Sequence, residues 1–248
     1  VLLQILDYYP ASYHLGEISG VIGFESNAML LKELADLEQK QSELALNYSN
    51  NLLKHISELI ERNYGLSCTK IQEKGDFLEQ SFNLLNEDDV VIIGRVGEQA
   101  AEKNKPIGSN DENFIRGVNC TVITGSEHVE VPKQFIFAYE YSPTCEKMMQ
   151  RIAQSDLLKK LQCHLLYVGD HPEMLAEPTK FLQAAGLDVV AAYRYGDVAQ
   201  NILEYQREHD IGLIVLGAFS HSKIHQFFLG SITTTIFRNA NVPLLVAK

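Results

Sequence analysis

The chain repeats itself. Gly75-Asp76 returns as Gly196-Asp197, Gly94 as Gly217, and Gly108-Ser109 as Gly230-Ser231. The run Phe114-Ile115-Arg116-Gly117-Val118-Asn119 returns as Ile236-Phe237-Arg238-Asn239-Ala240-Asn241, and each pair is separated by about 122 residues. A near-constant offset of this kind means that one folding unit is used twice. The second copy is the easier to read. Apolar runs at Phe135–Tyr139, Cys163–Val168, Leu187–Tyr193, Ile211–Leu216 and Val242–Val246 read as strands. Between them lie segments of helical period: Pro143–Lys160, Glu173–Ala185, Gly196 to His209, and one opening at Gly230-Ser231. Gly186 stands where a helix C′ glycine belongs. Five strands alternating with four helices imply a parallel α/β sheet with right-handed crossovers.

The first half shows only the last four strands of that pattern: Val1–Tyr8, Ser67–Gln72, Asp89–Gly94 and Cys120–Thr124. The chain starts at Val1, without a methionine and inside a strand-like run, so an N-terminal piece carrying the first strand and helix is expected to precede it. After a Ser/Gly/Tyr-rich loop over Pro10–Gly23, a long amphipathic helix is predicted from about Asn27 to Asn63. Leu30, Leu31, Leu34, Leu37, Leu44, Leu52, Leu53, Ile56, Leu59 and Ile60 recur at threes and fours. We read that stripe as packing on a sheet rather than as a coiled coil. A short helix is predicted from Gly75-Asp76 through Leu85. The polar stretch Gly125–Lys133, with Pro132, reads as a linker. It divides the chain into domains 1–131 and 132–248.

The chemistry points to Gly212–Lys248. An uninterrupted apolar run, Ile214-Val215-Leu216, ends on Gly217, where the backbone can take positive φ or let a ligand come close. Ala218-Phe219-Ser220 and nine further residues follow, then Gly230-Ser231 and the helical series Ile232, Ile236, Phe237. Ser231 suits an N-cap. A helix mouth with free N–H groups and a hydroxyl is a natural anion site, so this loop is expected to hold phosphates. His221, Lys223 and His225 add positive or titratable charge there.

The formal net charge is −11, which disfavours a nucleic-acid partner, because binding a phosphate backbone needs a basic face. No apolar run is long enough for a membrane span. Cys68, Cys120, Cys145 and Cys163 form no CxxC or zinc spacing; Cys120 and Cys163 lie in apolar runs and read as core residues. The reducing cytoplasm is the expected compartment.

The spacing Gly217-x2-Ser220-x9-Gly230-Ser231, with its flanking strands, resembles the ATP-binding loop of the universal stress protein family, G-x2-G-x9-G-[ST]; Ser220 stands where the family has its second glycine. The likeness covers essentially the whole chain and implies two tandem α/β domains, each a mostly parallel five-stranded sheet flanked by helices. In such a sheet ligands sit beyond the carboxyl ends of the strands, at the switch point. The resemblance implies that Glu140 and Ser142 match the family's Asp-x-Ser at the end of the first strand, with Ser142 also capping the helix at Pro143. It implies that Val168 contacts adenine, that Gly217 and Ser220 approach ribose or α-phosphate, and that Gly230, Ser231 and Ile232 receive the phosphates. The expected cofactor is ATP or AMP, with Mg²⁺ accompanying the phosphates.

The first half keeps Gly94-Arg95-Val96-Gly97, but its loop is one residue longer and acidic (Glu98, Glu102, then Asp111 and Glu112), so we expect a degenerate site. No adenylyl-transfer, pyrophosphatase, P-loop, metalloprotease or Gly-x-Ser-x-Gly signature is present, and at most slow ATP hydrolysis is expected. Alternatives are an adaptor that binds a protein instead of a nucleotide, and the cytosolic piece of a transporter or kinase. The last strands, Cys120–Thr124 and Val242–Ala247, are expected to pair antiparallel and give an intramolecular pseudo-dimer, with a further homodimer possible.

Overall fold

The computed structural model of the chain describes residues 1–6, 24–94, 109–126, 130–217 and 231–247. They divide into two compact units, Val1–Leu84 and Leu85–Lys248.

In the first unit, β1 (Leu2–Leu6) and β2 (Lys70–Lys74) pair in parallel, from Leu2 opposite Lys70 to Leu6 opposite Lys74. They flank α1 (Phe24–Tyr64), a single helix of 41 residues. α2 (Phe77–Leu84) closes the unit. Asp76 caps it, its Oδ1 accepting from the Glu79 N–H at 2.9 Å, directly after Gly75 at φ 142°. Only part of α1 lies on the strands. Ser49 and Leu53 are buried, and the Ser49 hydroxyl donates to Gln4 Oε1 at 2.6 Å and accepts from the Gln72 side-chain amide. Leu37 and Leu44 are exposed. Sheet packing expected for the whole stripe is therefore confined to its C-terminal part.

The second unit is built on a seven-stranded sheet of order β3-β4-β9-β8-β5-β6-β7. Its strands are β3 (Val90–Ile93), β4 (Thr121–Thr124), β5 (Gln134–Tyr139), β6 (Gln162–Val168), β7 (Val189–Arg194), β8 (Leu213–Gly217) and β9 (Leu244–Ala247). Its helices are α3 (Ser109–Gly117), α4 (Pro143–Gln154), α5 (Ala176–Ala184), α6 (Val198–Glu208) and α7 (Ser231–Asn239). Short 3₁₀ turns at Leu158–Lys160 and Pro172–Leu175 replace the ends of two helices that the sequence reading drew longer. The five strands of the second half are mutually parallel, in the order β7-β6-β5-β8-β9. They reverse direction of winding between β5 and β8, which makes that gap the topological switch point.

The centre of this sheet is covered on both faces, which is why its strands read as unbroken apolar runs. Phe135, Ile136 and Phe137 of β5 are 0% exposed, as are Ile214, Val215 and Leu216 of β8. The helix ends follow the local sequence. Asp197 Oδ1 accepts from the Gln200 N–H at 2.8 Å, after Gly196 at φ 104°, the same device as Gly75-Asp76 in the first copy. Gly186, at φ 93°, ends the helix before β7, and the Leu187 N–H bonds back to Leu182 O at 3.1 Å.

β4 and β9 pair antiparallel, Val122 opposite Val246 and Thr124 opposite Leu244, as expected from the two apolar final strands. Pairing removes what would otherwise be two open edges. The first half contributes to this sheet only β3 and β4. The strands of that half thus lie in two separate pairs, β1–β2 and β3–β4, rather than in one sheet.

A buried polar cluster occupies the amino ends of β5 and β6. His164 is 5% exposed. The Tyr205 hydroxyl lies 2.9 Å from its Nδ1, and Gln134 Oε1 lies 3.1 Å from its Nε2. Because a side-chain carbonyl only accepts, Nε2 carries a proton, and in the neutral ring Nδ1 accepts from the tyrosine hydroxyl. Around it stand Gln162, Asp188, His209, Glu208 and Arg194, the last paired with Glu208 at 2.5 Å and lying 5.5 Å over the Tyr205 ring. Burial, and then the neighbouring His209, push the His164 pKa below its ordinary value of 6.5. A base depressed in the folded state is protonated more readily in the unfolded chain. Its stabilising contribution is therefore complete above about pH 6.5 and is lost as pH falls towards the folded-state value. Melting temperatures measured between pH 8 and pH 5 should fall more steeply for the native protein than for His164→Gln. Equal slopes would remove His164 as the cause.

Candidate functional site

Three distant segments meet beyond the carboxyl ends of β5 and β6. β5 ends at Tyr139 and delivers Glu140 and Tyr141. β6 delivers Tyr167 and Val168. The first turn of α7 delivers Ile232. With Val198 and Ile202 of α6 and Met174, they enclose a cavity of about 230 Å³. The walls are apolar and aromatic, with one carboxylate, Glu140, at the edge. Small-molecule sites characteristically look like this, although ~300 Å³ is the low end of their usual size.

Local sequence fixes each wall. Ser142 caps α4, its hydroxyl accepting from the Cys145 N–H at 3.2 Å, and Pro143 occupies the first helical turn. The Ser142 N–H bonds to Glu140 O at 2.8 Å, so the strand turns sharply into the helix and leaves Glu140 at the rim. Tyr139, under that rim, is 5% exposed, and burial raises its hydroxyl pKa to about 12, so it stays a neutral hydrogen-bonding group. Gly169 gives Tyr167 its place. A Cβ on Gly169 would lie 2.5 Å from the Tyr167 hydroxyl, so any larger residue displaces that ring.

The site residues expected from sequence fall into three groups. Glu140, Val168 and Ile232 come together on the cavity. Ser142 and Gly217 do not line it. Ser142 serves as the helix cap. Gly217 lacks the positive φ considered for it; a Cβ there would meet Cys145 Sγ at 3.2 Å, so this glycine is required for close packing of β8 on the start of α4. Ser231 is the first residue of α7 rather than a residue before it, and it is exposed. Ser220 and Gly230, like His221, Lys223 and His225, lie outside the described residues. Met174, Val198 and Ile202 were not singled out from sequence. Val198 and Ile202 are four apart on a helix and carry the signal of any core stripe.

Among the described residues no group of three His, Cys, Asp or Glu side chains is placed to hold a metal ion. No helix among them is long and apolar enough to cross a membrane.

The family model of the universal stress proteins matches residues 132–248, the half that contains this cavity. Universal stress protein Slr1230 of Synechocystis sp. is 29% identical over 238 residues, which are 93% of this chain and 83% of that protein. Residues 132–248 match the universal stress protein family, and the chain as a whole is similar to that member. Solved structures agree on the fold. A universal stress protein from Archaeoglobus fulgidus superposes with a TM-score of 0.68 at 20% identity, over 83% of this chain and 78% of that one. A putative universal stress protein from Pseudomonas aeruginosa covers all of this chain and 92% of its own, with a TM-score of 0.58 at 14% identity. The α/β architecture and the mostly parallel sheet flanked by helices are thus shared with these proteins.

Proposed function

We propose that the chain is a universal stress protein whose second half binds an adenine nucleotide, ATP or AMP, and that it serves as a stress-response or signalling module rather than as an enzyme. The observation that supports this most directly is the cavity that unites Glu140, Val168 and Ile232, three positions picked from motif spacing and lying up to 92 residues apart in the chain. In this reading the base lies between Val168 and the α6 side chains, and Glu140 accepts hydrogen bonds from the ribose. The phosphates, with Mg²⁺ beside them, lie against the N-terminal turn of α7, where Ser231 and the unpaired amides of a helix mouth favour negative charge. Gly217, Ser220 and Gly230 shape the loop that leads there.

The repeat supports a division into two homologous domains, 1–131 and 132–248, even though the compact units divide after Leu84. β4 against β9 then marks the axis of an intramolecular pseudo-dimer. The first domain, with its acidic loop, is a structural partner, and the protein acts in the cytoplasm without nucleic acid or membrane.

Titration calorimetry with ATP, AMP and adenosine tests the reading. Saturable binding is expected for all three, tighter with phosphates present, and Glu140→Gln should weaken each about tenfold, the scale of one hydrogen bond to a charged group. No heat of binding with millimolar ATP would refute it.

A further inference from the structure

β7 is an outer strand of the seven-stranded sheet, with β6 on one side and no strand on the other among the described residues. Its pairing with β6 says which backbone groups remain open. The Cys163 N–H donates to Asp188 O, and the Gly169 N–H to Arg194 O. In a parallel pair, residues that bond to one neighbour alternate with residues that face away from it. The even-numbered residues of β7 therefore bond to β6, and the N–H and C=O groups of Val189, Ala191 and Tyr193 point outward. Natural sheets commonly blunt such an edge with lysine or proline. The run Val189-Val190-Ala191-Ala192-Tyr193 carries neither, and the one charge of the strand, Arg194, gives a guanidinium nitrogen to Glu208. Tyr193 is 52% exposed.

We propose that this edge is a self-association surface, and that its occupant is β7 of a second copy of this chain, paired antiparallel about a two-fold axis through Ala191. Two independent features select that occupant and that register. The first is hydrogen bonding. The open residues are spaced evenly about Ala191, so Ala191 facing itself sets Val189 opposite Tyr193 and Tyr193 opposite Val189. Each of these three pairs exchanges two bonds, six in all, and no open group of either edge is left over. Sliding one strand by one residue sets open residues against residues already bonded to β6. Sliding it by two leaves an open residue of each copy facing Tyr195, whose C=O accepts from Asn201, or Leu187, whose N–H donates to Leu182 O. A parallel pair of identical edges needs an odd offset between the strands, which no two-fold axis allows. The second feature is charge. The same register places Asp188 of each copy opposite Arg194 of the other, on one face, giving two attractive pairs related by the axis. Asp188 is exposed, and it keeps a carboxylate oxygen beyond the one that accepts from Gln162. The Arg194 side chain is 41% exposed and has donors beyond the one given to Glu208. Sliding by two would replace these pairs with Asp188 against Gly196 or Ala192. An edge of this length buries less than the roughly 1,600 Å² of a standard interface, so the dimer is weak and reversible.

Sedimentation equilibrium of the whole protein, with amide exchange followed residue by residue by nuclear magnetic resonance, tests this. A monomer–dimer equilibrium is expected with a dissociation constant of roughly 10–100 µM. Between about a tenth of that concentration and about ten times it, exchange of the Val189, Ala191 and Tyr193 amides should slow about fourfold, following the fraction of free edges. The Val190 and Ala192 amides, bonded to β6 in monomer and dimer alike, should not change. Ala191→Pro removes both central bonds and should weaken association at least about tenfold; the fold tolerates it because the lost N–H points away from β6. Asp188→Lys, a change at an exposed position, sets a cation against each Arg194 and should also weaken association about tenfold. A protein that stays monomeric near millimolar concentration overturns the proposal. So does a dimer whose Val189, Ala191 and Tyr193 amides exchange as fast as in the monomer, and so does a dimer indifferent to either variant.

Discussion

Phe137→Ala is expected to destabilise the second unit by about 3–5 kcal/mol, the cost of deleting a large side chain from a packed core and leaving a cavity. Phe137 is 0% exposed and belongs to β5, an inner strand of the sheet: it stands opposite Leu165 of β6 and Val215 of β8. Its ring meets Tyr139 edge to face at 6.0 Å. It packs into the same buried cluster as Met148 and Ile152 of α4 and Leu182 of α5. A void there has strands on two sides and helices above, so little can collapse into it. The loss is comparable to the whole stability of an ordinary domain, 5–15 kcal/mol. Urea unfolding followed by circular dichroism checks it, with Val190→Ala on the outer strand β7 as a control expected to change stability by less than about 1 kcal/mol. A loss below about 1.5 kcal/mol for Phe137→Ala would mean that Phe137 is not packed in the core.

The second large effect concerns binding alone. Val168→Glu should lower affinity for ATP by at least about 100-fold, ~2.7 kcal/mol, while leaving the protein folded. Val168 ends β6 and is only half-buried, so a longer polar side chain is accommodated by the fold. Its place on the cavity wall is another matter. A glutamate there fills space that the proposed binding mode gives to the base and adds a second carboxylate to the lining beside that of Glu140, in a pocket whose other walls offer no compensating cation among the described residues. Calorimetric titration gives the affinity, and the far-ultraviolet spectrum and melting temperature show that the variant is folded. Affinity within threefold of the native protein, in a folded variant, would place the nucleotide elsewhere.

Much of this was legible beforehand because it is local. Five apolar runs separated by helical periods gave a parallel sheet, and each of those strands is present within two residues or so of where its apolar run lies. Gly75-Asp76 and Gly196-Asp197 were visible as helix openings because positive φ and a capping carboxylate are needs of the backbone itself. Glu140, Val168 and Ile232 were expected at strand ends and a helix start, places with recognisable neighbours such as Ser142-Pro143, and the fold brings all three to one cavity. Gly217 was recognised as necessary but for a different reason: spacing cannot tell a glycine that makes room for a ligand from one that makes room for Cys145.

α1 shows where such reading stops. Leu37 and Leu53 carry the same signal in the sequence, yet one is 55% exposed and the other 6%. Periodicity says that a face is apolar; it does not say what covers it, or whether a long helix carries one apolar face or two. The same holds for Val198, Ile202 and Met174, which became cavity walls only once α6 and the turn before α5 were laid across β5 and β6. The sequence by itself determined the elements, their order and their caps, since these rest on contacts within a few residues. Only the tertiary structure decided which apolar faces meet and where space remains between side chains, because each of these depends on packing between segments far apart in the chain.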